Sequence, residues 1–290
     1  MTKNVNWFAA LKSLWVGGFI VGMYALFCLL LRSYQTRLMY FPSPELAQTP
    51  VEFNLPYEEV TIPVRGKAGG ERLHGWWMPA RGKERGTILY LHGNGSNISG
   101  NLGQAQRLHE LGFSVFLFDY RGYGKSVGGF PSEKQLYQDA DLAWTYLTQQ
   151  RRIPPQRITL FGHSLGGAIA IYLGSKHPDM AGMIIQSSFT SMRGMVDANG
   201  NYWMLPIDWL LTERYPSIER VRSLQVPVLY IHGTSDSVIP HSMSEALYAA
   251  TPKDKFLALV PNADHDDVAT IGGDRYDQIL EKFFKTASIP

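Results

Sequence analysis

Apolar positions fall into distinct patterns along the chain, and the first is a solid block. From Ser13 to Leu31, between Lys12 and Arg32, no residue carries a formal charge, and every helical face is apolar or small. About 19 residues at roughly 1.5 Å each give a helix of about 28 Å, close to the hydrocarbon thickness of a bilayer. Trp7, Trp15, Tyr34 and Tyr40 flank the block, as expected of side chains with an apolar body and a polar tip at a membrane interface. A buried core helix would keep a polar stripe, which this block lacks. A cleaved signal peptide would use Lys3 and Lys12 as its charged region, but LLLRSYQTRLMYF offers no small-x-small cleavage site. Phe27 before Cys28 is wrong for a lipoprotein signal. The expectation is therefore an N-terminal flank at 1–12, an uncleaved transmembrane anchor at 13–33 and a linker at 34–54. Orientation stays open, because Lys3 and Lys12 oppose Arg32 and Arg37 across the block. Gly18 and Gly22 form a G-x-x-x-G pair that would let two such helices approach, although glycine is common in spans and no dimer is expected from it. Phe41-Pro42-Ser43-Pro44 ends the helix, since proline lacks an N–H and pushes its predecessor out of the α region.

Beyond residue 55 the pattern changes to short apolar strands alternating with helices. Residues 60–64 and 73–78 read as two strands joined through a glycine-rich turn. Strands follow at 87–91, 114–118, 157–161, 183–185, 228–231 and 256–260, and helices at 103–111, 133–148, 165–175, 242–250 and about 275–285. Strands that are nearly continuous apolar runs separated by helices imply a mostly parallel sheet covered on both faces. Such a doubly wound α/β sheet places active groups outside the carboxyl ends of its strands. One domain over 55–290 is expected. Between Ile185 and Val226 the connection is too long for an ordinary loop, so residues 188–224 form an insert.

Composition narrows the picture only a little. The chain has 290 residues, 45% hydrophobic and 18% charged, with a formal net charge of +2 and no run of five like charges. Nucleic acid is not an expected partner, because its binders cluster Lys and Arg on one face. With one cysteine, Cys28, an intramolecular disulfide is excluded. No zinc-ligand spacing occurs, and neither a metal nor a cofactor is expected.

The candidate chemistry centres on Gly162-His163-Ser164-Leu165-Gly166-Gly167, which stands directly between the strand ITLF and the helix AIAI. This is G-x-S-x-G in the strand–turn–helix setting that its mechanics require. Gly162 and Gly166 permit close backbone approach where a Cβ would clash. The turn lifts Ser164 above the sheet edge and aims the Leu165 N–H, at a helix N-terminus, at developing negative charge.

A serine hydroxyl needs a base to take its proton. Of eight histidines, His74, His92 and His232 precede glycines at strand ends, and His163 lies within the turn. His109, His177 and His241 read as surface or capping residues. His265 follows the last strand in a polar loop before the final helix, where the chain order Ser, acid, His places the base. Asp236 is the one carboxylate in the loop after the preceding strand, and is the expected acid. Asp264, Asp266 and Asp267 read as loop charges and helix capping. The segment LHGNGSN after the first buried strand supplies glycines for a turn that presents the Asn94 N–H beside that of Leu165 as an oxyanion hole. Asn94 and Asn97 also begin N-x-S sequons, read as accidental because a glycan at Asn94 would block the site. Gly124-Lys125-Ser126 resembles the end of a phosphate-binding loop, but Asp119 stands where its first glycine belongs, so it is read as a turn.

Together LHGNGSN, FDYRGYGKS, GHSLGG, HGTSD and DH, in that order, resemble the α/β-hydrolase superfamily over about residues 55–287. The nearest likeness is to single-span α/β-hydrolase-domain proteins, whose relatives include acyl-protein thioesterases and serine-aminopeptidase-like enzymes. The resemblance implies an α/β-hydrolase fold with Ser164, Asp236 and His265 as triad and Asn94 and Leu165 as oxyanion donors. It implies acyl transfer to water by way of an acyl-enzyme. Substrate is left open between esters, thioesters and lipid-like acyl compounds on one side and short peptides on the other; a non-catalytic membrane scaffold predicts a broken triad, which is not seen. Haloalkane or epoxide chemistry would want a carboxylate at position 164. The insert carries Tyr202 to Leu211, apolar enough for a lid or acyl-binding wall, or for a helix packed on the sheet.

Overall fold

The computed structural model describes residues 7–64, 70–200, 202–252 and 254–289. The first six residues, including Lys3, and the expected glycine-rich turn at 65–69 lie outside the described residues.

Eight strands form one sheet in the order β1-β2-β4-β3-β5-β6-β7-β8. They are β1 (Glu58–Pro63), β2 (Arg72–Met78), β3 (Gly86–Leu91), β4 (Phe113–Asp119), β5 (Ile158–His163), β6 (Gly182–Gln186), β7 (Val228–Gly233) and β8 (Lys255–Val260). β2 pairs antiparallel with β1 and β4, and every other pairing is parallel. The near-continuous apolar strands have the expected cause, because both faces of the sheet are covered. Alternate side chains divide between two cores: Leu89, Leu91, Phe116 and Phe118 face one, and Ile88, Tyr90, Val115 and Leu117 face the other. Helices α3 (Glu133–Thr145), α4 (Leu165–Lys176) and α8 (Ser242–Ala250) pack on the first core. Helices α2 (Leu102–Glu110) and α9 (Val268–Thr286) pack on the second.

The chain leaves β3 towards β4 on one side and returns to place β5 on the other. That reversal opens a crevice at the carboxyl ends of β3 and β5, where a doubly wound sheet carries its ligand.

The apolar block is helical, but α1 (Trp7–Met39) runs past residue 33 to stop just before Tyr40. Within its segment Leu11–Met39, an 18-residue window has mean hydropathy 2.2 and is 6% buried, so the helix is long and apolar enough to cross a membrane. Residues 40–54 differ from a free linker. Tyr40 and Pro50 are buried, and Pro50–Phe53 forms a short 3-10 turn.

The insert contains α5 (Met192–Asn199), α6 (Ile207–Leu210) and α7 (Ser217–Arg220). It is neither wholly a lid nor wholly a layer on the sheet, since α7 packs on α4 and α8 while α6 packs on α1. His109, expected at the surface, is buried, with its Nε2 at 2.9 Å from the Pro79 carbonyl. The glycine of Gly124-Lys125-Ser126 takes φ +48°, and a Cβ there would lie 1.9 Å from the Asp119 carboxylate. It is a tight turn, with Ser126 Oγ donating to the Asp119 carbonyl at 2.6 Å.

Candidate active site

Backbone crowding shapes the turn after β5. A Cβ on Gly162 would sit 2.5 Å from the Gly166 carbonyl oxygen, and one on Gly166 only 1.9 Å from that of Leu91. Glycine alone lets β5, the start of α4 and the end of β3 pass this closely. Between them Ser164 adopts φ 55°, ψ −119°, a left-handed-side conformation costly for a non-glycine residue and held by its surroundings. Those surroundings are named bonds: the Ser164 N–H donates to the Gln186 carbonyl at 2.9 Å, and Ser188 Oγ donates to the Ser164 carbonyl at 2.9 Å.

The structure brings the three candidate side chains together from three loops. Ser164 Oγ lies 3.0 Å from His265 Nε2, and His265 Nδ1 lies 2.8 Å from Asp236 Oδ2. The Asp236 side chain is fully covered. Burial pushes its carboxyl up, but hydrogen bonds from His232, His265 and the Ile239 amide outweigh this and hold it well below the usual carboxylate range. It stays ionised, and so fixes the His265 proton on Nδ1 and leaves Nε2 free to accept from Ser164.

The amides of Asn94 and Leu165 both line a cavity of about 960 Å³ together with Ser164 and His265. Among the described residues neither amide donates to another protein group. The Leu165 N–H is the first of α4 and so has no partner within the helix. The Asn94 side chain is engaged through both its nitrogen and its oxygen: Nδ2 donates to the Met39 carbonyl at 2.6 Å, while Oδ1 accepts from Tyr123 Oη at 2.9 Å and from the Phe41 amide at 3.3 Å. Asn97 Nδ2 likewise donates to the Ser43 and Glu45 carbonyls.

Sequence reasoning gave His232 no part in the site, and placed His163 in the turn without its partner. His232 Nε2 lies 3.0 Å from Asp236 Oδ2 and 2.9 Å from the Ile239 carbonyl, so it carries a proton and braces the same carboxylate oxygen that His265 meets. The spacing in HGTSD, four residues from His232 to Asp236, was the available signal. His163 Nε2 donates to the His265 carbonyl at 3.2 Å. Burial, followed by the neighbouring His265, lowers its pKa to about 4. Asp267 stands at the N-cap position of α9 but bonds back to the Asp264 amide instead of capping the helix. Asp264 crosses to the Ser237 amide and hydroxyl, which ties the acid loop to the histidine loop. His163, His265 and Asp266 bring possible metal-ligand atoms within 4.8 Å of one another, but both ring nitrogens of His265 and Nε2 of His163 are already engaged.

The cavity changes character across the sheet. Met39, Phe189, Met192, Met195 and Ile239 line one side, the side of the α4 core, with the exposed Phe41 also in the lining. Gln104 and Arg107 of α2, with Asn101 and Thr270, line the other. Arg107 is held there by both Asp277 carboxylate oxygens at 2.7 Å.

The family model for serine aminopeptidases, S33, matches residues 82–220. An uncharacterized protein of Mycobacterium tuberculosis is 36% identical over 258 residues, which covers 89% of each chain. The α/β-hydrolase domain-containing protein WAV2 of Arabidopsis thaliana is 30% identical over 294 residues, 92% of each chain. Among solved structures, the Pyrococcus furiosus esterase Pf2001 superposes with a TM-score of 0.67 at 20% identity, covering 85% of this chain and 98% of that one. Motif order, sheet topology and these relatives agree: the chain belongs to the α/β-hydrolase superfamily and is a hydrolase.

Proposed function

We propose that the protein is a membrane-anchored serine hydrolase that cleaves acyl esters or thioesters at the bilayer surface. The carrying observation is the continuous hydrogen-bonded line from Ser164 Oγ through His265 to the covered Asp236. In this reading His265 Nε2 takes the hydroxyl proton as Ser164 Oγ attacks the acyl carbonyl. The oxygen that gains the negative charge meets the amides of Leu165 and Asn94. His265 then protonates the departing alcohol or thiol, and the acyl-enzyme remains. Water, deprotonated by the same nitrogen, releases the acid and returns the proton to Ser164. Asp236 holds the ring tautomer and offsets its charge throughout. The apolar side of the cleft suits an acyl chain, and α1 supplies the anchor. The esterase named among the structural neighbours supports the same bond class.

The aminopeptidase family model favours a second reading, hydrolysis of short peptides. That chemistry needs a carboxylate to hold the substrate amine, and the one lining the cleft is Asp266, whose side chain is 86% exposed. Exposure of that degree gives it little power to hold an ammonium group.

The test is labelling by a fluorophosphonate probe together with turnover of p-nitrophenyl esters and aminoacyl amides. Wild type should label and cleave esters, and Ser164→Ala should lose both, with turnover down by about 10⁴-fold or more. Amide cleavage exceeding ester cleavage would move the assignment to the peptidase reading. Absence of labelling in folded wild type, in detergent and in vesicles, would end the serine-hydrolase reading.

A further inference from the structure

The tip of the insert is joined to the apolar helix itself. Tyr24 Oη donates to the Met204 carbonyl, Arg32 donates to the Trp209 carbonyl, and Gln35 Nε2 donates to that of Leu210 at 3.0 Å. The Arg32 guanidinium also lies over the Trp209 ring, 5.0 Å from its centre. Tyr24, Cys28, Arg32 and Gln35 fall on one stripe of α1 by their spacing of four, four and three. Cys28 is 3% exposed, while Phe27 beside it is 50% exposed. The insert therefore lies along the helix for roughly 16 Å, from Gln35 back to Tyr24.

Position along the helix decides what surrounds that tip. The uncharged block ends at Arg32, and Tyr24 lies eight residues inside it, about 12 Å deeper. If the bilayer began below Tyr24, only residues 13–23 would remain to span it, about 16 Å against a core near 30 Å. A spanning α1 must immerse Tyr24, and the Met204 backbone bonded to Tyr24 goes with it. The geometry points to the segment Tyr202–Leu210 as a second, non-spanning membrane contact that dips into the acyl layer beside α1. This inference rests on the anchor reading above.

The composition of the tip fits that solvent. Trp203 is 78% exposed and Met204 64% exposed, with Tyr202, Pro206 and Trp209 also exposed beside them. Lipid tolerates irregular backbone only where its polar groups find partners within the protein. Here the amides of Leu205, Ile207, Trp209 and Leu210 bond within the tip, and Pro206 has none. The carbonyls of Met204, Trp209 and Leu210 are the ones met by Tyr24, Arg32 and Gln35. The segment's own charge, Asp208, pairs with Arg193 at 2.6 Å, and Asp208 adjoins Trp209 at the level of Arg32, where a headgroup layer would lie.

The experiment uses the full chain with Cys28→Ser, reconstituted in phosphatidylcholine–phosphatidylglycerol vesicles. A nitroxide is attached in turn at Trp203→Cys, Met204→Cys, Leu26→Cys in the span and Lys282→Cys on α9. Collision with oxygen is compared with collision with a water-soluble nickel chelate. Labels at 203 and 204 should match the one at 26, favouring oxygen several-fold over the ratio seen at 282. If 203 and 204 follow 282 while 26 reports lipid, the second contact is wrong and the anchor stands. If 26 also reports water, the anchor reading falls and the second contact with it. Labels at 203 and 204 shielded from both colliders would mean a protein cover, a second copy of the chain included, and would also overturn it.

Discussion

At the Ser164 wall of the cleft, backbone crowding at the ends of β3 and β5 makes the geometry; at the Asn94 wall, one side chain 55 positions from its partner makes it. On the first wall Gly162 and Gly166 let three backbones meet at separations that no Cβ survives. On the second, one asparagine side chain clasps the exit of α1 by its Met39 carbonyl and Phe41 amide. Both walls present an amide to the same cavity. The difference teaches that the Ser164 turn is shaped by backbones packed too closely for a Cβ, whereas the opposite boundary of the cleft depends on where α1 ends.

The severest break belongs to the local wall. Gly166→Ala puts a methyl group against the Leu91 carbonyl, so β3 or α4 must shift. A loss of about 3 kcal/mol or more is expected, read as a collapse of the urea midpoint together with ester turnover. An unchanged midpoint would mean that the two backbones have room to part.

Asn94→Ala addresses the distant wall. The backbone donor remains but its clasp on Met39, Phe41 and Tyr123 is gone. Turnover should fall about tenfold with KM nearly constant, since an oxyanion donor acts on the transition state. A wild-type rate would show that the end of α1 does not position the donor.

Sequence made the local wall readable and left the distant one dark. G-x-S-x-G, HGTSD and the DH loop are short and stand at strand ends, so Ser164, Asp236 and His265 could be singled out as candidates from the sequence, and the structure brings their side chains together. The strands could be placed too, because burial on both faces writes them as apolar runs. No periodicity announces that Asn94 bonds to Met39, that Gln35 bonds to Leu210 or that His163 bonds to the His265 carbonyl. Those contacts join segments separated by 55 to 175 residues, and each uses a side chain that would be equally at home on a surface. His109, read as a surface or capping residue, was misjudged for the same reason, since its ring bonds to a carbonyl distant in sequence.

A milder test follows from His163, which links the two loops of the first wall. Its folded pKa of about 4 lies below the ordinary 6.5, so the unfolded chain takes up the proton first as pH falls. Its share of stability is complete above about 6.5 and is lost as pH falls from there to about 4. His163→Gln should flatten that part of the stability–pH curve by on the order of 2 kcal/mol, measured by urea unfolding at pH 7 and pH 4.5. Asp236 acts below this window, because its depressed carboxyl keeps its contribution until the medium is more acidic than its ordinary pKa.

The smallest expected effect is at the insert. Arg32→Gln removes the cation over Trp209 and should cost under about 1 kcal/mol, a shift of a few degrees at most in thermal unfolding in detergent. A larger loss would place the insert–helix seam among the determinants of the fold itself.

The residues that leave α1 also govern whether this hydrolase could ever be shed. Ser43 accepts from the Gly124 amide and from Asn97, Glu45 accepts from Asn97, and the Ala47 amide donates to Ser99 Oγ. A protease that clipped the chain in this stretch would free a body still holding Ser164, His265 and Asp236, but would cut the lacing that closes the cleft beside Asn94. On the proposed anchor reading, such a cut would also separate Asn94 from its Met39 and Phe41 partners, so a shed body is expected to turn over more slowly than the tethered chain.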